Sequence, residues 1–378
     1  MKIVFLSSYF NHHQSALSDA LWRETGGDFV FVETDTMPRE QRELGYPVLE
    51  REYLLPWRGN ENRVLPLLQQ ADVVIAGAAP QWLVRKRIRT GKLLLRYSER
   101  PLRHGAEPMK YVPRLLRWHW WNPPGRPIYL LAAGAYTAGD YAKFGLFRGR
   151  SFCWGYFPER KPYDVQALMA GKHPAEILWC GRFLELKHPE EALRALKRLR
   201  KSPARLTFVG GGPGEAELRE RAEAWGLGDK VRFAGAMPPA QVRREMERAG
   251  IFLFTSGRQE GWGVVVNEAM NSGCAVIASH AAGSVPYLIQ NGENGLVYPS
   301  GDVEALAEAL RFLLEAPEEQ KRLGTAAYET IRDVWNGDAA AKRLIRLSRS
   351  LLDGETGNGM FADGPCSPAK KLDEGWFG

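Results

Sequence analysis

TSGRQEGWGVVVNEAMNSGCAVIAS, residues 255–279, places two glutamates, Glu260 and Glu268, around three consecutive valines. The valines favour a strand, whereas Asn267-Glu268-Ala269-Met270 suits a helix. If 260–268 were one strand, the glutamates would share a face roughly 27 Å apart. In one helix they would lie about 12 Å apart along the axis. A third reading fits the stretch better. Glu260-Gly261-Trp262-Gly263 forms a loop, a helix starts near Val264, and Gly273 ends it before the apolar strand CAVIAS. Glycines let a backbone approach a ligand. The helix N-terminus then offers free N–H groups and its positive dipole end to an anion. Glu268, further along the helix, reaches another part of the same ligand, and the valines pack inward. Such a geometry suits an extended ligand with a diphosphate in its middle.

The strand–loop–helix rhythm extends outward in both directions. Upstream, EILWCGRF precedes PEEALRALKRLRK, RLTFVGGG precedes GEAELRERAEAWG, and VRFAG precedes PAQVRREMERAG. In the first half KIVFL, DFVFVE, ADVVIAG, KLLLRY and IYLLAAG alternate with the helical HQSALSDALWRE and WLVRKRIRTG. Alternation of this kind means parallel sheets covered by helices on both faces. A chain of 378 residues exceeds what one core supports, so two domains are expected. The polar, proline-bearing FPERKPYDVQALMAGKHPAE, 157–176, reads as the boundary. The fold class is therefore α/β: two αβα domains, 1–165 and 166–337. A terminal amphipathic helix, DAAAKRLIRLSRSLLD (338–353), then opens a tail expected to pack back on the N-terminal domain. The stretch after it lacks periodicity and is expected to be loop, with Trp376-Phe377 docked at its end.

Four scattered cysteines form no CxxC, which argues against a disulfide framework or a zinc site and suits a reducing cytoplasm. No run approaches the roughly 18 apolar residues of a membrane span. The net charge of +7 is unevenly placed: the window 85–126 holds twelve basic residues against Glu99 and Glu107. Inside it, YVPRLLRWHWWNPPGRP mixes Arg114 and Arg117 with Trp118, Trp120 and Trp121. Three readings stay open for this segment. The tryptophans are core and the arginines solvated, or the segment meets an anionic membrane surface, or it meets single-stranded nucleic acid. No nucleic-acid module accompanies it, so that partner is disfavoured.

Several candidate residues follow strands. FVGGGPGE (208–215) misses the GxGxxG fingerprint, because Glu215 stands at its third glycine. It is either a tight strand-to-helix turn or a backbone cradle near a phosphate, with Gly211 in it. Glu33-Thr34-Asp35 has the look of a metal-binding DxD or a ribose-binding acid but lacks a glycine turn upstream. Arg182 and Lys187 in CGRFLELK bring two cations to the C-terminal edge of a parallel sheet, where such sheets bind ligands. His12 and His13 follow the first strand; they either face a site or form a capping or surface pair. Glu99, Arg100 and His104 in YSERPLRHG follow another strand.

Arg182 and Lys187 after a strand, then FVGGGPG, VRFAGAMP, TSGRQEGWGVVVNEAMNSGCAVIAS and AGSVPYLIQNGENGLVY, together resemble the donor half of retaining glycosyltransferase family 4, the group 1 glycosyltransferases. The resemblance covers roughly 176–330. It implies the GT-B fold, with two Rossmann-like domains facing across a cleft. It also implies transfer of a sugar, with retention, from a nucleoside diphosphate sugar (UDP the expected carrier) to a saccharide or lipid-linked acceptor in polysaccharide or glycolipid synthesis. Arg182 and Lys187 would bind the diphosphate, Glu260 the donor sugar and Glu268 the ribose. The amides around Gly263 and Val264 would meet the phosphate, and Gly211 and Met237 would complete the donor side. No metal and no further cofactor are implied. His12, His13, Glu99, Arg100 and His104 are the acceptor-side candidates. The expected location is cytoplasmic, peripheral to a membrane through 85–126. Two departures stand out: Gly283-Ser284-Val285-Pro286-Tyr287 replaces Gly-Gly-x-Pro-Glu, and His188 stands where a glycine often follows the Lys. The competing functions are a nucleotide-sugar epimerase of the same fold and a non-catalytic membrane- or polyanion-binding protein.

Overall fold

The computed structural model describes residues 1–43, 45–105, 109, 111–373 and 375–377, with the backbone alone at Glu40 and Glu43. Glu107 and Lys110 of the basic window thus lie outside the described residues. The chain divides into two compact units. The first comprises Met1–Arg42, Pro47–Glu159 and Asn336–Asp373, and the second is built on Arg160–Trp335.

Among the described residues, the strands of the first unit are β1 (Ile3–Ser7), β2 (Phe29–Glu33), β3 (Leu54–Pro56), β4 (Val73–Ala76), β5 (Leu94–Ser98), β6 (Ile128–Ala133) and β7 (Ser151–Trp154). They form one parallel sheet in the order β3-β2-β1-β4-β5-β6-β7. Its helices are α1 (His12–Glu24), α2 (Arg39–Glu43), α3 (Glu61–Gln70), α4 (Gln81–Arg89), α5 (Tyr111–Trp121) and α6 (Thr137–Ala142).

The second unit opens with α7 (Val165–Ala170). Its strands are β8 (His173–Cys180), β9 (Arg205–Val209), β10 (Val231–Phe233), β11 (Ala249–Phe254), β12 (Ala275–Ser279) and β13 (Leu296–Tyr298). These too are parallel, ordered β10-β9-β8-β11-β12-β13. The helices are α8 (Pro189–Arg198), α9 (Glu215–Ala224), α10 (Pro239–Arg248), α11 (Val265–Asn271), α12 (Val285–Leu288), α13 (Val303–Glu315) and α14 (Pro317–Asp333). A last helix, α15 (Gly337–Leu352), belongs to the first unit, where Arg23 of α1 pairs with Asp338.

Every residue of β1, β4, β11 and β12 is buried. Strands covered on both faces need no polar alternation, which is why these runs are continuously apolar. Both sheets have the 3-2-1-4-5-6 order of dinucleotide-binding folds, the first with one strand more. The order reverses beside β1 and β4 in one unit and beside β8 and β11 in the other. Parallel sheets bind ligands at the carboxyl ends of the strands at such a reversal.

Two expectations change. The polar stretch 157–176 is not all linker: Asp164 caps α7 by accepting from the amides of Gln166 and Ala167, and Leu168 and Met169 are buried. The tail is not plain loop either. Cys366 and Ser367 exchange backbone hydrogen bonds with Cys153 at 2.8 and 2.7 Å, and the Ala369 amide donates to Ser151 O at 2.8 Å. Pairing covers the otherwise open edge of β7. Near the chain's end, Phe377 stacks on His280 with ring centroids 6.3 Å apart.

Candidate functional site

In the second unit the loop after β8 and the loop after β11 are tied together. The Thr255 hydroxyl donates to Lys187 O at 2.6 Å and accepts from Trp179 Nε1 at 2.9 Å. The Gly257 amide donates to Leu186 O at 2.9 Å. Lys187 ends a 3-10 turn, Glu185–Lys187, and its ammonium pairs with the carboxylate of Glu260. Both side chains are largely sheltered, at 19% and 15% exposure, so this pair is screened less than a surface one. The Lys187 ammonium also lies 6.0 Å from the Phe254 ring centroid. His188, which follows, adopts a left-handed conformation with φ +45°. That is the physical reason a glycine fits there, and a histidine holds it at a cost of about 1 kcal/mol.

α11 begins as the valine reading requires. Val264 is its N-cap, with no side chain capping it, and the helix runs from Val265 to Asn271. Gly263 has φ +88°, and a Cβ there would come 2.2 Å from Phe254 Cζ, so the loop can pass over β11 only as glycine. Trp262 does not face a ligand. It is buried, its Nε1 donates to Asn267 Oδ1 at 2.8 Å, and its ring lies 5.8 Å from that of Trp335. Tyr287 stacks on the same Trp335 at 5.7 Å. The tyrosine that departs from the family pattern is therefore part of an aromatic packing cluster.

Glu268 is half-buried on α11. Desolvation raises its pKa, and the nearby Arg243 opposes the rise. Arg243 holds the helix end, donating to Glu268 O at 3.1 Å and to Asn271 Oδ1. Burial pushes the Cys180 thiol up to about 12, with Glu268 adding to the shift and Lys187 opposing it. One sulfur at the end of β8 thus feels both groups, and sequence reasoning had not singled it out. Arg182 is exposed beside it, and Met237 is half-buried in the loop before α10. The glycine turn is a tight turn by packing. The Phe183 amide donates to Gly211 O at 3.1 Å, and Gly210 sits directly on Gly181.

In the first unit an open cavity of about 640 Å³ occupies the strand-order reversal. It is lined from the ends of β1, β4 and β5 by Ser7, Asn11, Gly77, Ser98 and Glu99, among others. Arg100 and His104 also line it. Glu99 accepts from Tyr156 Oη at 3.0 Å and from Arg103 Nη1 at 3.2 Å. Arg100 is 4% exposed, and both ends of its guanidinium reach Asp140 at 3.3 Å. It shapes the wall through that buried pair. His12 and His13 open α1 behind Asn11, whose side chain accepts from the His13 amide at 2.9 Å. Their rings are 3.8 Å apart, and both are half-buried rather than surface groups.

Burial, then the neighbouring His12, pushes His13 down to about 3 from 6.5. The unfolded chain takes this proton near 6.5 and the folded chain does not, so the stability involved is present above 6.5 and lost as pH falls toward 3. Between about pH 7.5 and 5.5 the loss should be about 1 kcal/mol. Urea unfolding at the two pH values measures it, and His13→Gln should flatten the dependence. An unchanged slope in that variant would show that another group titrates.

Among the described residues no group of three or more His, Cys, Asp or Glu is placed to hold a metal ion. Glu33 instead accepts from the Phe10 amide at 2.8 Å, and Asp35 lies 3.7 Å from Arg58. No helix among the described residues is long and apolar enough to cross a membrane.

Comparison with known proteins finds relatives for the second unit and for the fold. Residues 164–330 match the family model "Glycosyl transferases group 1". The chain is 29% identical over 204 residues to the amylovoran biosynthesis glycosyltransferase AmsK of Erwinia amylovora, covering 52% of this chain and 49% of that one. It is 30% identical over 187 residues to a GDP-mannose-dependent alpha-(1-6)-phosphatidylinositol monomannoside mannosyltransferase of Mycobacterium tuberculosis, covering 47% and 48%. The chain thus spans about half the length of the curated relatives it matches. Among solved structures, Anabaena Alr3699/HepE in complex with UDP superposes with a TM-score of 0.67 at 16% identity, over 93% of this chain and 100% of that one. Sucrose-phosphate synthase from Thermosynechococcus elongatus superposes with 0.65 at 19%, over 94% and 100%. The fold is accordingly GT-B, built of two Rossmann-like units, and it is residues 164–330 that carry the match to the group 1 glycosyl transferases.

Proposed function

We propose that the protein is a retaining glycosyltransferase that moves a hexose from a nucleoside diphosphate sugar, UDP being the carrier favoured, to a saccharide or lipid-linked acceptor. The observation that carries this reading is the convergence at the β8/β11 reversal. Lys187, from the loop after β8, pairs with Glu260, from the loop after β11, just ahead of the first turn of α11, which has no side-chain cap and carries Glu268 one turn on. The relatives support it: one is an amylovoran biosynthesis glycosyltransferase, another a GDP-mannose-dependent phosphatidylinositol monomannoside mannosyltransferase, and Alr3699/HepE was solved with UDP and with UDP and glucose.

In this mechanism the donor's C1–O bond breaks as the acceptor oxygen bonds to C1 on the same face, and the acceptor's proton passes to the leaving diphosphate. The protein contributes position and charge. Lys187, Arg182 and the first-turn amides of α11 stabilise the diphosphate in place of a metal. Glu260 orients the sugar, and Glu268 takes the ribose hydroxyls. Acceptor hydroxyls enter the first unit's cavity, where Glu99 and its neighbours offer hydrogen-bond partners.

The test is a screen of nucleotide sugars against saccharide and polyprenyl-linked acceptors in EDTA, with the product anomer assigned by NMR. The expected result is metal-free transfer with the donor's anomeric configuration kept. An inverted product would refute retention. A donor epimerised with no transfer to any acceptor would move the chain to the epimerases.

A further inference from the structure

The basic window divides once its side chains are placed. Arg87 is fully buried and donates to the carbonyls of Leu68, Ala71, Asp72 and Leu93. Arg96 is buried against Gln81 Oε1 and Trp121 O, and Arg100 against Asp140. These three are internal struts, and the other described cations of the window reach solvent.

The solvent-facing cations surround an apolar stripe. On α5, Val112, Leu116 and Trp120 are 59%, 66% and 57% exposed. Spaced four residues apart, they lie along one face of the helix. Trp118, on another face, is buried with its ring 4.4 Å from that of Phe144. The helix is thus anchored from one side and leaves its apolar stripe to solvent. Met109, just before it, is 94% exposed. Trp120 is held in place: the Arg85 guanidinium lies 3.6 Å over its ring and donates to Trp120 O at 3.3 Å.

A pocket of about 270 Å³ opens where α5 ends. His119, Arg126, Arg148 and Arg150 line it together with Pro123 and Pro124, and no carboxylate is among its lining residues. Arg150 is fixed there, donating to Arg126 O at 3.0 Å and lying 5.6 Å from the Tyr129 ring. Three arginines around one hollow, with no ion pair among the described residues, call for an anion from outside, and phosphate oxygens match the guanidinium fork.

We propose that α5 and the arginine pocket at its end form one docking surface for an anionic lipid bilayer. Val112, Leu116 and Trp120 enter the headgroup region, and Arg126, Arg148 and Arg150 take lipid phosphates. Amphipathic helices with cationic flanks bind membranes in this way, through buried apolar area plus attraction to anionic lipid. Single-stranded nucleic acid fits less well. Stacking needs open aromatic faces, yet one face of Trp120 carries Arg85, Arg117 lies 5.1 Å over Trp121, and Trp118 is buried. A second copy would set two cationic surfaces against each other. The surface lies entirely in the first unit and goes beyond the donor chemistry proposed above.

The test is co-sedimentation of the full chain with vesicles of phosphatidylethanolamine and phosphatidylglycerol, or of phosphatidylcholine alone, in about 0.1 M salt. Binding should favour the anionic vesicles by at least about tenfold. Leu116→Glu with Trp120→Glu, and separately Arg126→Glu with Arg148→Glu, should each weaken it by about tenfold or more while leaving thermal unfolding unchanged. The arginine pair should also lose much of its salt sensitivity. Three outcomes would overturn the proposal: wild-type protein that ignores anionic vesicles, both double variants binding as wild type, or an oligo-dT strand bound more tightly than vesicles and lost with the same substitutions.

Discussion

Lys187→Ala should lower kcat/KM by about a hundred- to a thousandfold, the effect of deleting one preorganised charge-stabilising contact, about 3 kcal/mol. The loss should fall mainly on kcat, because charge builds on the leaving diphosphate as the sugar departs. The placement of Lys187 argues for so large an effect. Thr255 and the 3-10 turn fix its backbone, Glu260 holds its ammonium, and little water reaches the pair. A purely structural role predicts something else. Removing one partner of a sheltered pair leaves the Glu260 carboxylate without it, so the melting temperature would drop while turnover stayed. The double variant Lys187→Ala, Glu260→Gln separates the two cases. It should regain stability relative to the single lysine variant and regain no activity. Turnover near wild type in Lys187→Ala would put the diphosphate elsewhere.

Gly210→Ala should destabilise the protein by about 3 kcal/mol or more, and Gly211→Ala should not. At Gly210, φ is +132° and a Cβ would sit 1.9 Å from the carbonyl oxygen of Gly181. That contact is backbone against backbone, so no rotamer change relieves it. The turn after β9 must lift off the loop after β8, with left-handed strain and overpacking both added. At Gly211 the nearest atom to a Cβ is Glu215 Oε2 at 3.9 Å, ordinary contact distance. Urea unfolding of the two variants should differ by most of the Gly210 effect. Equal midpoints would mean that the two loops are free to separate. Because Arg182 and Lys187 are on the loop that would move, Gly210→Ala should also lose activity beyond its loss of folded protein.

The same glycines show how far the sequence could be read. FVGGGPG left two readings open, a turn or a phosphate cradle. The structure supplies the reason for the glycines, the approach of Gly181 and Phe183, which come from a different stretch of chain. β1, β4, β11 and β12 were legible because both their faces are covered and their runs are almost wholly apolar, whereas β3, β7 and β13, three or four residues long, were not read as strands. α5 was not legible as a helix. YVPRLLRWHWW carries a proline near its start and apolar residues on both its buried and its exposed faces, so no single period stands out. α7 hid within a polar stretch because its burial depends on the distant Gly273 and Gly324, beside which Met169 packs. The charge of 85–126 was legible as a number but not as a surface. Arg87 and Arg96 bury themselves on backbone carbonyls and an amide, and Arg100 on an aspartate forty residues away. At the site, the resemblance singled out Lys187 and Glu260. It did not reach the contacts that hold them, because it assigns no role to Thr255 or Trp179, which matter only through where β8 and β11 end.

α15 and the edge-covering tail bear on how the protein is made. The first unit closes only with residues 336–373, whereas the second is built mainly on the single stretch Arg160–Trp335, which precedes them. Synthesis runs from the N-terminus, and domains fold as units when their chain is available. The main stretch of the second unit can therefore be finished on the ribosome while the unit that began first still waits for its last helix. Until α15 emerges, α1 presents an uncovered apolar face to the surroundings, and until residues 366–369 follow, β7 presents an unpaired edge. The topology thus lets the unit that begins second be completed first, and the N-terminal unit is the one with exposed surface to protect in the interval.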